Sequence, residues 1–206
     1  MNSAFLQFRT HDFLSRGETG TEKGADGTVA EWFWEFLFYS FGGYLLEKWF
    51  AWRTGAGKKI RRCMLLPLCP VYGLGVTAVL AAPESWRTLP WLAVTGAVLT
   101  TGVEYVVHWA YGTILGVQFW NYSGLRGNLR GRVCLPFSLA WGVLTAAAVL
   151  LVQPFLAQLL IRIPPTVTFA VMLLVTADAV CSSRILTVTG DTEALHIKNL
   201  RHVQAR

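Results

Sequence analysis

Glu47, Glu104, His108 and Asp178 interrupt stretches that are otherwise apolar. A charge at membrane depth is costly, so such residues pair with one another, line a water-filled site or carry protons. Glu104 and His108 lie four residues apart and so share one face of a helix. As an acid–base pair they would move a proton. As metal ligands they are two on one helix, too few to hold an ion without others, so a mutual hydrogen bond is the plainer expectation. Arg132 is placed to reach Glu47, or else to snorkel to the interface as arginines near helix ends do. Glu35 is expected to snorkel in the same way. For the group Glu47, Glu104, His108, Arg132 and Asp178, three readings stay open: glue between helices, a polar cavity open toward the cytoplasm, or a proton relay. None of them assigns a catalytic residue, a metal ligand or a cofactor.

The elements that carry these residues are apolar. Of 206 residues, 53% are hydrophobic and 15% charged, and the mean hydropathy is +0.43. A soluble domain carries about 25% charged residues, so this chain is too poor in charge to coat a globule. Its nine tryptophans suit membrane–water interfaces. About 20 apolar residues cross the hydrocarbon. Five stretches approach that length: Trp32–Trp52, Met64–Ala82, Trp91–Val117, Val133–Ile161 and Thr166–Leu186. The fourth exceeds one span and holds Pro154, which predicts a kink, a run along the interface or a hidden break, so that a sixth span stays open. The expected fold is an all-α integral membrane helical bundle of about five transmembrane helices.

Basic residues set its orientation. Arg53, Lys58, Lys59, Arg61 and Arg62 follow the first stretch. Arg126, Arg130 and Arg132 follow the third, and Arg184, Lys198, Arg201 and Arg206 follow or close the last. The other loops hold only Arg87, against Glu84, and Arg162. The positive-inside rule then predicts an amino terminus outside and a carboxyl terminus in the cytoplasm. The net charge of +6 belongs to those inner loops and to anionic lipid rather than to nucleic acid. Residues 1–29 read as an extracytoplasmic segment, with a short interfacial helix around Phe5–Arg16 and a Gly- and Thr-rich linker. Residues 30–186 read as the membrane domain and 187–206 as a cytoplasmic tail. Glu47 and Asp178 then fall roughly 8–12 Å from the inner surface, His108 slightly deeper and Glu104 near mid-membrane.

The second stretch opens with Pro67, Pro70, Tyr72, Gly73 and Gly75. Two prolines followed by small residues predict an irregular start and then a close helix–helix contact. Cys63, Cys69, Cys134 and Cys181 lack CxxC spacing and read as reduced thiols. Gly55-Ala56-Gly57-Lys58-Lys59 has the Gly-Lys of a phosphate loop but neither the first glycine at its spacing nor the Ser/Thr. Any ATP-driven role therefore needs a separate ATPase subunit. His196 and His202 read as exposed bystanders.

Taken together, these strings carry a resemblance. They are Tyr39-Ser40, Gly43, Tyr44 and Glu47; Pro67, Pro70, Tyr72, Gly73 and Gly75; Glu104-Tyr105; Trp120-Asn121-Tyr122-Ser123, Asn128 and Gly131-Arg132; and Ser138, Trp141 and Gly142. In order and spacing, over roughly Glu35 to Pro154, the chain resembles the putative ABC-transporter type IV permease family of bacterial multi-pass membrane proteins. It departs from the family pattern at Leu66-Pro67, where Gly-Pro is usual, and at Asn121, where the family has an acid. Gly112 stands where a second acid often follows Glu104. The resemblance implies a permease-like subunit of the plasma membrane, lodged in the lipid bilayer. Five spans are few for a solitary transporter, so a homodimer or a partner protein is expected. Two other classes stay open. One is an accessory or scaffolding membrane protein whose buried charges only fix packing. The other is an integral-membrane enzyme acting on lipid or isoprenoid substrates through Glu104 and His108.

Overall fold

The computed structural model describes residues 25–55, 62–160 and 162–195. The Phe5–Arg16 segment, Lys58, Lys59, Arg61 and the tail histidines lie outside them. The described residues are all-helical, with one isolated antiparallel bridge between Leu129 and Val133. Five helices follow in order: α1, Ala25–Arg53; α2, Pro70–Leu80; α3, Trp91–Ala110; α4, Leu135–Leu160; and α5, Pro165–Thr189.

Helices α4 and α5 are long and apolar enough to cross a membrane. Their apolar side chains mostly face outward: Leu139, Val143, Leu151, Phe155, Leu173 and Val180 are exposed. Helix α1, with 29 residues, and α3, with 20, have the length, but acids and a histidine dilute their apolar character. The second stretch starts irregularly, as its prolines predict, and the irregular part is long. A helix over all of Met64–Ala82 does not form, and α2 has only 11 residues, about 16 Å of rise.

The chain ahead of α2 is irregular, and its backbone donors are met by other elements. Leu65 N donates to Ser182 Oγ at 3.0 Å and Leu66 N to Asp178 Oδ2 at 3.1 Å. Leu68 N donates to Leu66 O at 2.7 Å and Cys69 N to Ser40 O at 2.9 Å. Pro67 and Pro70 have no donor to satisfy. Backbone donors shielded from water need protein partners, and here α1 and α5 supply them.

Small residues let neighbouring helices close up. A Cβ on Gly73 would collide with Ser40 Oγ and the Phe36 carbonyl of α1. One on Gly75 would press Thr100 of α3 at 3.1 Å, and one on Gly142 of α4 would meet the Ala93 carbonyl of α3 at 2.6 Å. The order α1–α2–α3–α4 is thus written in glycines. Helix α5 joins through Trp34 Nε1, which donates to Thr168 Oγ1 at 2.9 Å, and through Asp178 and Ser182.

Helix α4 stays continuous through Pro154, with no break. A wide turn over Ala148–Val152 precedes the proline, and Gln153 N bonds back to Ala148 O. The added residue absorbs the clash a proline ring makes with the preceding turn. A similar wide turn, Tyr111–Leu115, ends α3 at Gly116, which is left-handed with φ +69°. After α5, Ala194 and Leu195 fold back and are buried, Leu195 against Val117, Phe119 and Leu186.

Candidate functional site

The site forms where the second half of α1, the start of α2, the end of α3 and the start of α4 converge under the loop of residues 117–134. Glu104, 3% exposed, lies on the α3 face that meets α4, within reach of the loop. Its Oε2 accepts from Trp141 Nε1 at 2.9 Å and its Oε1 from the Tyr122 hydroxyl at 3.1 Å. Trp141 is held in turn by the Tyr72 ring, 4.7 Å between centroids. Tyr122 stacks on Phe137 at 4.9 Å. Burial, and then the Glu104 carboxylate, push the Tyr122 phenol far above its ordinary range, so it is a donor at every physiological pH.

The loop is built from its own polar residues. Tyr122 N bonds to Gly131 O at 2.8 Å. Asn121 Oδ1 accepts from Ser123 N at 2.9 Å and Ser123 Oγ at 2.6 Å. Asn128 Nδ2 donates to the carbonyls of Ser123 and Leu125, and its Oδ1 accepts from Gly131 N. Gly131 has φ +68°, and a Cβ there would strike Ser123 Oγ and Asn121 Oδ1. At Asn121, then, the amide oxygen closes a turn, a task that the carboxylate oxygen of an aspartate would perform as well. Ser138 likewise serves locally, its hydroxyl donating to Cys134 O at 3.1 Å.

Trp120 anchors the loop from above. Its Nε1 donates to Arg132 O at 2.7 Å, and its own carbonyl accepts from His108 Nε2 at 2.8 Å. The rings of His108 and Trp120 meet edge to face at 5.1 Å. His108 Nδ1 is buried with no partner. Glu104 and His108 therefore share a helix face, but each serves a different loop residue, and the expected mutual bond does not form. Arg132 departs from expectation too. Its Nη1 donates to the Tyr105 hydroxyl at 2.9 Å and its guanidinium sits 5.0 Å from the Tyr105 ring centroid, so it turns to Tyr105 and not to Glu47.

Glu47 faces the same space as Glu104, from α1. Its partner is the Cys69 thiol, Sγ to Oε1 at 3.4 Å. Both carboxylates line a partly open cavity of about 510 Å³, together with Cys63, Cys69, Phe50 and the loop aromatics. Asp178 is elsewhere. Its Oδ1 accepts from Ser182 Oγ at 3.3 Å and its Oδ2 from Leu66 N. It holds the irregular segment and does not line the cavity.

Two further points were missed from sequence. Glu35 does not snorkel freely: its Oε1 accepts from Gln153 Nε2, and Gln153 Oε1 accepts from the Tyr39 hydroxyl at 2.7 Å. Gln153 stands beside Pro154, where a polar side chain in an apolar run was a usable signal. Phe137 is the other, one turn before Trp141 on the same face of α4.

Of the group read from sequence, the cavity gathers Glu47 and Glu104 directly. His108 and Arg132 position its roof, and Asp178 lies outside it. The motif residues Tyr39, Ser40, Gly43, Gly73 and Gly142 make helix contacts, and Tyr72, Trp120, Tyr122 and Trp141 form cavity wall. The family model described as putative ABC-transporter type IV matches residues 34–183, the stretch that holds this cavity and the helices around it. No curated protein and no solved structure matches the chain.

Proposed function

The chain belongs to the putative ABC-transporter type IV family, and from that premise we propose that it is the permease-like membrane subunit of a transport system. The observation that carries this reading is the partly open cavity between α1, α2, α3 and α4, with Glu47 and Glu104 in its wall. In the proposed arrangement the chain crosses the plasma membrane five times, α2 and the irregular segment before it together making the second crossing. The amino terminus is outside, the carboxyl terminus is in the cytoplasm, and the cavity sits in the cytoplasmic half. Residues 1–29, 30–186 and 187–206 are the outer segment, membrane domain and inner tail. Because Gly55-Ala56-Gly57-Lys58-Lys59 is no phosphate loop, a separate ATPase supplies the energy, docking on the cytoplasmic loops. A second copy of the chain completes the translocation path.

A second reading has its own support. Asp178, Asn121 and Asn128 hold backbone and loop in place, as a scaffold protein with purely structural polar residues would require. The two are separated by affinity purification from mildly solubilised native membranes, comparing the parent with a Glu47→Ala, Arg132→Ala variant. Co-purification of an ATPase with the parent, lost in a variant that still folds, is the expected result. Recovery of the chain alone, or of an unrelated enzyme complex, rejects the permease reading in favour of the scaffold.

A further inference from the structure

The walls of the cavity are of one electrical character. The rings of Tyr72, Trp120, Tyr122 and Trp141, with three phenylalanines, line it beside Glu47 and Glu104. Aromatic faces carry negative potential, and carboxylates carry charge. Among the described residues, no lysine or arginine lines the space. Arg132 is turned to Tyr105, and Arg62 lies 6.0 Å from the ring of Tyr44.

The two acids are not equally satisfied. Each oxygen of Glu104 receives a strong donor, from Trp141 and Tyr122. Among the described residues Glu47 has only the Cys69 thiol, at 3.4 Å, and a thiol is a weak donor. Asp178, by comparison, receives a backbone amide and a hydroxyl. A carboxylate serving only as glue would be met as Asp178 is. Glu47 is left to face the cavity.

An occupant must match that surface. An anion is opposed by both acids, and no basic side chain among the described lining residues offsets them. Calcium and magnesium need six or more oxygen ligands or an octahedral set, and for softer ions too the described residues bring no three His, Cys, Asp or Glu side chains together. A space of about 510 Å³ fits a molecule of many atoms. Aromatic walls favour a cation whose charge is spread over apolar substituents, because ring faces attract it without demanding hydrogen bonds. We propose that the Glu47–Glu104 cavity binds an organic cation, an ammonium carrying apolar groups, with Glu47 as its counter-ion. This deepens the permease reading and rests on it.

Three benzyl compounds of similar size test the proposal: benzyltrimethylammonium, the uncharged alcohol 2-methyl-1-phenylpropan-2-ol, and phenylmethanesulfonate. Each is titrated into the purified full chain in detergent, by calorimetry and by tryptophan fluorescence, which Trp120 and Trp141 report. The parent chain is expected to bind the cation at least ten-fold more tightly than the alcohol, and the sulfonate not at all. Glu47→Gln should weaken the cation about ten-fold and leave the alcohol unchanged. If cation and alcohol bind alike, or the sulfonate binds best, the cation assignment fails while the cavity stands as a binding site. If none of the three binds, the binding-site reading fails with it. The comparison of ligands on the parent chain decides the matter even where Glu47→Gln does not fold.

Discussion

Asp178 offers the sharpest test of the division between packing and site. It is buried in an apolar helix, as Glu104 is, yet the geometry gives it a purely architectural task. Asp178→Ala removes the acceptor for Leu66 N and for Ser182 Oγ in one step. A buried donor left without a partner costs about 1–3 kcal/mol. The Ser182 hydroxyl still accepts from Leu65 N and can turn, so its loss is the smaller. The sum is about 2–4 kcal/mol. For a chain of this length, each kcal/mol moves the melting temperature by about 2–4 °C, so a fall of roughly 5–15 °C is expected in detergent. Asp178→Asn keeps one carbonyl oxygen for Leu66 N and should recover at least half of that fall. Ser182→Ala should be non-additive with Asp178→Ala, because both serve one segment. The assay is thermal unfolding followed by size-exclusion chromatography of the full chain. Ligand binding by the Asn variant completes it. The reasoning is refuted if Asp178→Ala melts within a degree of the parent. It is equally refuted if Asp178→Asn is as stable as the parent but loses binding, since the charge would then belong to the site.

Other substitutions probe the remaining contacts. Gly73→Ala should cost about 1–3 kcal/mol by overpacking α2 against Ser40 and Phe36, whereas Gly42→Ala, which meets nothing within 4 Å, should leave the melting temperature unchanged or slightly raised. Trp141→Phe keeps the ring against Tyr72 but removes the donor to Glu104; a loss of about 1.5–3 kcal/mol is expected, measured as a fall in melting temperature that Glu104→Gln makes smaller. Leu195→Ala should lower stability by about 2–5 kcal/mol, because Leu195 is fully buried against Val117, Phe119 and Leu186; an unchanged melting temperature would mean that the tail does not dock.

The sequence made the helices legible because apolar runs of membrane length say so directly. The limits of α3 and α5 were close, and proline with glycine marked an irregular start to α2. How much of that stretch is non-helical was not legible, since its backbone is satisfied by Ser40, Asp178 and Ser182, the latter two more than a hundred residues away. Depth along a helix put Glu47 level with Asp178 and left Glu104 deeper, yet the cavity takes Glu47 with Glu104 and not with Asp178, because depth says nothing of rotation. Rotation is what turns Asp178 to the segment ahead of α2 and His108 to Trp120, while the course of the loop brings Arg132 to Tyr105. The loop motif around Trp120–Arg132 was visible as a string of polar residues. Its meaning, a self-bonded turn carrying two aromatic walls, needed the positive φ at Gly131 and the reach of Asn121.

The irregular segment ahead of α2 also bears on how the chain is made. Leu65 and Ser182 are 117 residues apart, and Leu66 and Asp178 are 112. At about 5–20 residues per second, the acceptors for those two amides emerge roughly 6–23 seconds after the donors. Until then a half-length helix and a stretch of bare backbone have no settled place in lipid. In the proposed five-span arrangement the second crossing is therefore expected to wait in the insertion machinery, or at the membrane surface, for the last helix. Truncation before α5 should leave residues 62–69 open to protease or to a water-soluble thiol reagent at Cys63. Biosynthesis, in this chain, closes from the end backwards.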